Sequence, residues 1–310
     1  MSEQNILWHY CSNTAFKSIV ETQELLLNEI SESNDYMEGK WLLEHVLRDA
    51  LLECGISSLD ASEFLKKIYS IKERYNAFAF CLSEEPDLLS QWRGYADDGH
   101  GVAIGFNKTF LEGLLGGNGP NLLSQVMYTK NDQLNLIGGN DEIMKIKDCL
   151  ERGALLHGHD LGGLLTGPPT KEEKEKREAA FNDMFTSVFR LAAMSFQAKN
   201  PAFGEEKEWR LIQHNFKKSQ TGLEALAGDY DYYDPNRQDI TLRASREKIT
   251  PSIQCKLPLA EMPLARALLP AIQEVKLGPK NLTDIKTIKF LVAKNKMGAP
   301  KITRSDATYR

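Results

Sequence analysis

Paired cysteines are missing from this sequence. Its 310 residues include five cysteines that are scattered along the chain, and no two of them form a C-x-x-C motif. An odd number of widely spaced cysteines does not match a disulfide framework, which needs pairs at recognisable spacings. We therefore expect reduced thiols and a cytoplasmic protein. The five residues are Cys11, Cys54, Cys81, Cys149 and Cys255.

Long apolar runs and an excess of basic residues are also missing. No apolar stretch approaches the ~20 residues that a helix needs to span a bilayer. The N-terminal MSEQN is polar and has no basic segment before an apolar one, so no signal peptide is expected. The formal net charge is −5, whereas a general nucleic-acid coat needs surplus Lys and Arg. We expect a soluble protein with no membrane partner.

Several motifs of known enzyme classes are absent as well. The sequence has no G-x-S-x-G, no Walker A and no H-E-x-x-H. The G-H-G of the DDGHG segment precedes an apolar run, whereas a dinucleotide fingerprint follows a strand, which argues against a Rossmann fold. His157, His159 and Asp160 are metal-ligating residue types, but no matching ligand stands at a recognisable spacing. We expect a polar loop there and no bound metal.

The apolar pattern predicts strands, then helices, then strands again. Helices are expected from about residue 37 to 75 and through most of 132–198, with a break at LLTGPPT. The segment 285–293 is expected to begin as a helix and end as a strand. This order predicts an α+β fold with a mixed or antiparallel sheet, in one domain (1–310) with a mainly helical insertion (132–198). The expected strands are Ile6–Tyr10, Leu25–Leu27, Phe78–Leu82, Val102–Phe106, Gln125–Tyr128, Glu208–Gln213 and Ile272–Leu277.

The first strand ends in two polar ring side chains, His9 and Tyr10. A neutral imidazole donates one hydrogen bond and accepts another. It can therefore hold a ribose diol or a carboxamide. The alternative interpretation is a partly buried histidine whose hydrogen bonds are satisfied within the protein.

A second group of candidates follows the strand at 78–82. Ser83 comes just after this strand, and Trp92, Arg93 and Tyr95 lie within one helix and turn. Trp and Tyr offer flat faces to a ring, and Arg can bind a phosphate through two parallel hydrogen bonds. The alternative is an amphipathic helix with Trp92 in the core and Arg93 at the surface.

The third group lies in the segment EEKEWRLIQ. Alternate residues of a strand face opposite sides, so Glu206, Glu208 and Arg210 are expected on one face and Trp209 on the other. A carboxylate at the start of a central strand costs free energy unless it is paired or used. Two interpretations stay open, a functional carboxylate and a solvated edge with an internal Glu–Arg pair.

The order and spacing of the short motifs resemble the bacterial family DUF2971. The motifs are L-W-H-Y, an L-L-N segment followed by N-D, F-C-L-S-E, Q-W-R-G-Y-A-D before G-V-A-I-G-F, E-K-E-W-R-L, and E-V-K-L-G-P. The same layout is distantly similar to the ADP-ribosyltransferase fold, including DNA-modifying toxins of the DarT type. The resemblance covers most of the chain and is weakest across the helical middle.

The second resemblance implies a set of roles. A residue on the first strand holds the adenosine-side ribose of NAD, which implies that role for His9. Ser83, Tyr95 or Trp92 would lie against the nicotinamide. Glu208, with Glu206 as its rival, would bind the nicotinamide ribose. These roles require the imidazole of His9 and the carboxylate of Glu208 to face each other across one cleft.

The implied function is cleavage of the nicotinamide–ribose bond of NAD and transfer of ADP-ribose to a macromolecule. NAD would be a substrate, and no metal would be needed. The acceptor would be a nucleic acid or a protein, in a phage-defence or toxin system with an antitoxin or defence partner. Hydrolysis of NAD is a variant of this hypothesis. The alternative is a non-enzymatic module that senses a nucleotide or binds a protein through the same cleft.

Overall fold

A computed structural model describes most of the chain. The described residues are 5–33, 35–73, 75–114, 121–156, 170–216, 240–244, 248–257 and 271–309. The predicted loop at His157–Asp160 and most of the LLTGPPT segment lie outside these ranges.

Within the described ranges, ten strands form one sheet. All neighbouring strands are antiparallel except β9 and β10, which are parallel. The spatial order is β10-β9-β4-β1-β3-β2-β8-β7, with β6 paired to β3 and β5 paired to β6. The strands are β1 (Ile6–Cys11), β2 (Glu24–Glu29), β3 (Tyr75–Ser83), β4 (Val102–Asn107), β5 (Asn121–Gln125), β6 (Glu208–Phe216), β7 (Ile240–Ala244), β8 (Ile249–Lys256), β9 (Ile272–Leu277) and β10 (Lys301–Arg304).

The sheet divides at β3. Strand β6 pairs with every residue of β3, from Tyr75 to Ser83. Because one edge of β3 is thus fully used, β1 and β2 must share the other edge. Strand β1 pairs with β3 at Ser83, and β2 pairs with it at Phe78 and Ala79. A short gap therefore separates β1 from β2 beside Cys81.

Helices cover both faces of the sheet. The α-helices are α1 (Asn13–Thr22), α2 (Arg48–Glu53), α3 (Ser58–Lys72), α4 (Leu89–Tyr95), α5 (Lys108–Leu114), α6 (Lys130–Leu136), α7 (Gly139–Glu151), α8 (Lys171–Met194) and α9 (Ile285–Lys294). A π-helix (Leu42–Leu47) runs directly into α2. The π-helix, α3, α7 and α8 enclose one large apolar core, and α1, α5 and α9 enclose the other.

The sequence predicts this architecture at a coarse level. An α+β fold with a mostly antiparallel sheet is confirmed, and α6, α7 and α8 fall in the predicted helical middle. The division into one domain with an insertion stays a prediction. Two local predictions are wrong. Strand β5 ends at Gln125 where a strand was expected to begin, and the segment after Asp284 is helical throughout. The side chain of Asp284 caps this helix by accepting from the Lys286 N–H, which favours a helix from its first turn.

Candidate functional site

The register of three central strands sorts the predicted site residues by face. Trp8 pairs with Ser83, and Ser83 pairs with Glu208. Directly paired residues point to the same side of a sheet, and their chain neighbours point to the opposite side. Glu208 and Ser83 therefore share a face with Trp8, while His9 and Trp209 lie on the other face.

His9 occupies the gap between β1 and β2. Its ring stacks on Phe80 with centroids 4.0 Å apart, and its Nδ1 donates to the Cys81 carbonyl at 2.8 Å. Burial lowers the pKa of His9 to about 4, although this hydrogen bond opposes the shift. The imidazole is thus neutral at pH 7, and its Nδ1–H is satisfied by a backbone carbonyl of β3. The expectation that His9 faces Glu208 across one cleft is wrong, because the β1–β3–β6 register puts them on opposite faces.

Tyr10 and Trp92 form a small buried cluster on the Glu208 face. Their rings meet edge to face at 4.8 Å. The Tyr10 hydroxyl donates to the Glu85 carbonyl at 2.7 Å and accepts from the Leu88 N–H at 3.0 Å. The indole of Trp92 has no exposed surface, and its Nε1 donates to Asp87 at 2.6 Å. In this conformation Trp92 has no ring face open to a ligand. This agrees with the alternative interpretation of the segment, an amphipathic helix with Trp92 in the core.

Arg93 and Tyr95 are the exposed site candidates on α4. The Arg93 guanidinium lies 5.7 Å from the centre of the Tyr309 ring. Tyr95 is 44 % exposed, and its hydroxyl donates to Glu206 Oε1 at 3.1 Å. Among the candidates on α4, only Tyr95 contacts the Glu206–Glu208 pair. Arg93 instead contacts Tyr309 in the C-terminal segment.

A tight turn places Glu206 and Glu208 beside one lysine. Asn200 caps the 3-10 helix Pro201–Glu206, and Lys207 then adopts a left-handed conformation with φ 43°. The chain reverses there, and Glu208 begins β6. The Lys199 ammonium donates to Glu206 Oε2 at 2.6 Å and to Glu208 Oε2 at 3.3 Å. All three side chains in this contact are buried.

Arg210 lies between two buried carboxylates. Its Nε and Nη2 donate to Glu208 at 2.8 and 2.9 Å, and its Nη1 and Nη2 donate to Glu38 at 2.7 and 3.1 Å. Its Nη1 also donates to the Phe196 carbonyl at 2.8 Å. These contacts use all five N–H groups of a guanidinium. Arg210 therefore orients Glu208 and has no donor left for a ligand in this conformation.

The two carboxylates on Arg210 have opposite pKa shifts. Burial alone raises the pKa of Glu208, but attraction to Arg210 and Lys199 outweighs it and lowers the pKa to about 2. Burial raises the pKa of Glu38, and attraction to Arg210 offsets only part of that rise. Glu208 is therefore the carboxylate that the site keeps ionised at neutral pH.

Ser83 and Cys81 complete this side of the sheet. Ser83 is buried, and its Oγ donates to the Glu206 carbonyl at 2.6 Å and accepts from the Glu85 N–H at 3.1 Å. Cys81 pairs in register with Arg210 and is exposed. Cys81 lies beside Glu208, and Tyr95 lies beside Glu206, so two exposed residues border the pair of carboxylates. A fixed carboxylate such as Glu208 can stabilise a developing positive charge.

Two members of the buried charged cluster, Glu38 and Lys199, were not predicted from the sequence. Glu38 meets Arg210 across 172 residues of chain, and Lys199 stands in a polar loop of ordinary composition. Neither position follows an apolar period or a known motif. Among the described residues, no group of three His, Cys, Asp or Glu side chains is placed to hold a metal ion.

The fold and site define an α+β protein with a divided antiparallel sheet and a buried charged cluster at the start of β6. Residues 91–211 match the model of a family described as "Protein of unknown function (DUF2971)". This match confirms the resemblance to DUF2971 over residues 91–211. The matched stretch includes Trp92, Tyr95, Glu206, Glu208 and Arg210. No curated protein and no solved structure matches the chain. Within the described ranges, every helix is too short or too polar to cross a membrane.

Proposed function

We propose that this protein is an ADP-ribosyltransferase-like enzyme that cleaves the nicotinamide–ribose bond of NAD and transfers ADP-ribose to a macromolecule. Glu208 is the catalytic carboxylate, and Glu206 lies beside it. One observation carries the proposal. Glu208 is held ionised by Arg210 and Lys199 at the start of a central strand, where Tyr95 and Cys81 open the same side of the sheet to solvent.

The chemistry needs a fixed negative charge beside the ribose. As the C1′–N bond breaks, nicotinamide leaves with the bonding electron pair, and an oxocarbenium-like cation develops at C1′. A nucleophile on the acceptor then attacks C1′ and loses its proton. A carboxylate beside the cation stabilises it, as in glycoside hydrolysis. Glu208 meets this need because its pKa of about 2 keeps it charged at neutral pH.

The ligand contacts differ from those that the resemblance implies. In this proposal the dinucleotide lies on the Glu208 face. The exposed ring of Tyr95 is the aromatic contact, and Arg93 is an exposed guanidinium on the same helix. His9 takes no direct part in this arrangement, since it faces the other side of the sheet. Its role is to close the gap in the sheet by donating to the Cys81 carbonyl.

Incubation of the purified protein with labelled NAD and a cell extract tests the proposal. We expect release of nicotinamide and labelling of a macromolecule. Glu208→Gln should lower the rate by about a hundredfold or more, the usual effect of losing a preorganised electrostatic contact. Glu208→Asp keeps the charge but withdraws it by one methylene, and it should retain more activity than Glu208→Gln.

The matched control is Glu205→Gln. Glu205 is an exposed carboxylate in the same turn, and its removal should leave the rate unchanged. Thermal melting of each variant separates loss of activity from loss of folding. Equal rates for the wild type and a folded Glu208→Gln would remove Glu208 from the mechanism. The absence of nicotinamide release by the wild type, with every acceptor fraction, would overturn the proposal.

One observation favours a second candidate, a non-enzymatic module that binds a nucleotide or a protein. Every donor of Arg210 is already used, and Lys199 bridges both glutamates. An ion-pair network whose members are all paired in this way can also have a purely structural role, in which it stabilises the packing of the helices on the sheet. Equilibrium binding of NAD without any nicotinamide release would identify the protein as such a module.

A further inference from the structure

A cavity lies on the outer side of the segment that leads into α2. Its volume is about 490 Å³, which falls within the ~300–1,000 Å³ typical of small-molecule sites. All of its lining residues lie between positions 36 and 52. The cavity is therefore outside the stretch matched by the family model, and its lining includes none of the residues proposed above for NAD cleavage.

The wall of this cavity is anchored from within. Glu38 points inward and binds Arg210. Gly39 adopts a left-handed conformation with φ +69°, and its carbonyl accepts a hydrogen bond from the Lys72 ammonium. The backbone of this segment is therefore anchored from its inner side, while the side chains of Tyr36 and Lys40 line the outer side.

The helix beneath the cavity has an unusual geometry. Leu42–Leu47 is a π-helix, a form that is rare and often found at functional sites. Lys40, Glu44 and Arg48 follow one another at intervals of four residues and line one side of the cavity. His45 belongs to the same lining.

Three basic side chains face this space, Lys40, His45 and Arg48. Arg48 is exposed and makes no ion pair or side-chain hydrogen bond within the described part of the chain. The His45 ring contacts the Trp41 ring in a tilted arrangement, with centroids 4.2 Å apart. A guanidinium beside an imidazole and an ammonium is suited to bind a phosphate group.

The remaining lining suits a ring and hydroxyl groups. The Tyr36 ring is 83 % exposed, and the Lys40 ammonium lies 4.3 Å from its centre. Leu52 adds apolar surface. Of the two carboxylates, Glu44 is engaged by the Tyr69 hydroxyl, whereas Asp49 is exposed and can accept from a ligand hydroxyl. The mixture of charges favours a ligand that carries negative charge and also donates hydrogen bonds.

We propose that this cavity binds a small phosphorylated molecule with a flat ring and hydroxyl groups, of the nucleoside monophosphate class. Arg48, His45 and Lys40 bind the phosphate, Tyr36 stacks on the ring, and Asp49 accepts from a sugar hydroxyl. The site is separate from Glu208 and does not depend on the NAD chemistry proposed above.

Calorimetric titration of the full chain with AMP, UMP and inorganic phosphate tests this site. We expect one nucleotide per chain, bound more tightly than phosphate alone. Arg48→Ala should weaken nucleotide binding by about tenfold or more, since it removes a charge-assisted hydrogen bond. Lys17→Ala is the control. Lys17 is 62 % exposed on α1, on the opposite side of the sheet, and the variant should bind as the wild type does.

Two further measurements make the assignment specific. Tyr36→Ala should weaken the binding of AMP but not of inorganic phosphate, since only the nucleotide carries a ring. Arg48→Ala should leave any release of nicotinamide from NAD unchanged, which separates this site from the proposed catalytic one. Failure of all three probes to bind at millimolar concentration, or wild-type affinity in Arg48→Ala, would overturn the proposal whatever the outcome with NAD.

Discussion

Glu38 and Arg210 form a bidentate ion pair that is almost completely shielded from water. The two nitrogen–oxygen distances are 2.7 and 3.1 Å, and the side chains are 3 % and 2 % exposed. Glu38 precedes the π-helix, while Arg210 lies on a central strand. Because Arg210 also holds Glu208, one guanidinium fixes both the helical layer and the candidate catalytic carboxylate. The stability of the fold and the geometry of the site are therefore linked through Arg210.

Replacing Arg210 should destabilise the protein strongly. Arg210→Met leaves Glu38 and Glu208 as buried carboxylates without their main partner. Breaking a buried ion pair in this way typically costs ~3–5 kcal/mol. Urea unfolding should show this loss as a much lower midpoint. Arg152→Met is the control, since Arg152 pairs with Asp148 and Asp183 at the surface. A similar small shift for both variants would show that the buried cluster is not a main source of stability.

The loss of folding stability at acidic pH should depend on Glu208. Its pKa is lowered from the ordinary glutamate value of 4.5 to about 2 in the folded protein. The unfolded chain therefore binds a proton more readily between these values. The stabilisation is fully present above about pH 4.5 and is lost as the pH falls towards 2. Comparing urea unfolding of the wild type and Glu208→Gln from pH 7 to pH 3 should show their difference shrinking.

Glu38→Gln is the matched comparison for this prediction. It touches the same guanidinium, but burial raises the pKa of Glu38 in the folded protein. A group with a raised pKa contributes stability at low pH and loses it as the pH rises. Glu38→Gln should therefore not reproduce the acid dependence of Glu208→Gln. Identical curves for the two variants would mean that the carboxylates share one titration and that our assignment is wrong.

The sequence predicts the local elements well because they depend on local patterns. The apolar pattern of Val102–Phe106 appears in the structure as strand β4, as expected. Whether His9 and Glu208 lie on the same face of the sheet is not a local property. It depends on the register of three strands, and a shift of one residue moves a side chain to the opposite face. No pattern within β1 or β6 fixes that register.

The candidate site was predictable only in part for the same reason. Glu208 and Arg210 share a face because strand alternation requires it. Glu206 ends the 3-10 helix before β6 and joins them through the turn at Lys207, not through the strand pattern. The partners that set their charge, Glu38 and Lys199, come from other parts of the chain. Their contacts follow from tertiary packing, so the strand pattern alone identifies the acids but not what keeps one of them ionised.

Lys72 should make stability depend on pH in the alkaline range. Burial, with repulsion from Lys40, lowers its pKa from 10.5 to about 7, and Glu38 opposes the shift. Between these values the unfolded chain binds a proton that the folded chain lacks, so stability rises with pH. We expect the wild type to gain stability from pH 7 to pH 8.5 relative to Lys72→Met.

The control for Lys72 lies on the same helix. Lys66 is 67 % exposed and pairs with Glu63, so Lys66→Met should keep the wild-type pH dependence. Urea midpoints at four or five pH values are sufficient to separate the two variants. Parallel curves for the wild type and Lys72→Met would show that Lys72 stays protonated in the folded state.

Two glycines should respond oppositely to the same substitution. A Cβ at Gly101 would lie 2.1 Å from the Cys11 carbonyl oxygen and 2.9 Å from that of Ala96. Both are backbone atoms that can move only if the start of β4 separates from β1, so Gly101→Ala should cost about 3 kcal/mol or more.

Gly94 lies in α4 with nothing within 4 Å of its Cβ position, and Gly94→Ala should stabilise the protein by about 0.5–1 kcal/mol through helix propensity. Urea unfolding checks both, and wild-type stability in Gly101→Ala would contradict the close packing of β1 against the turn before β4.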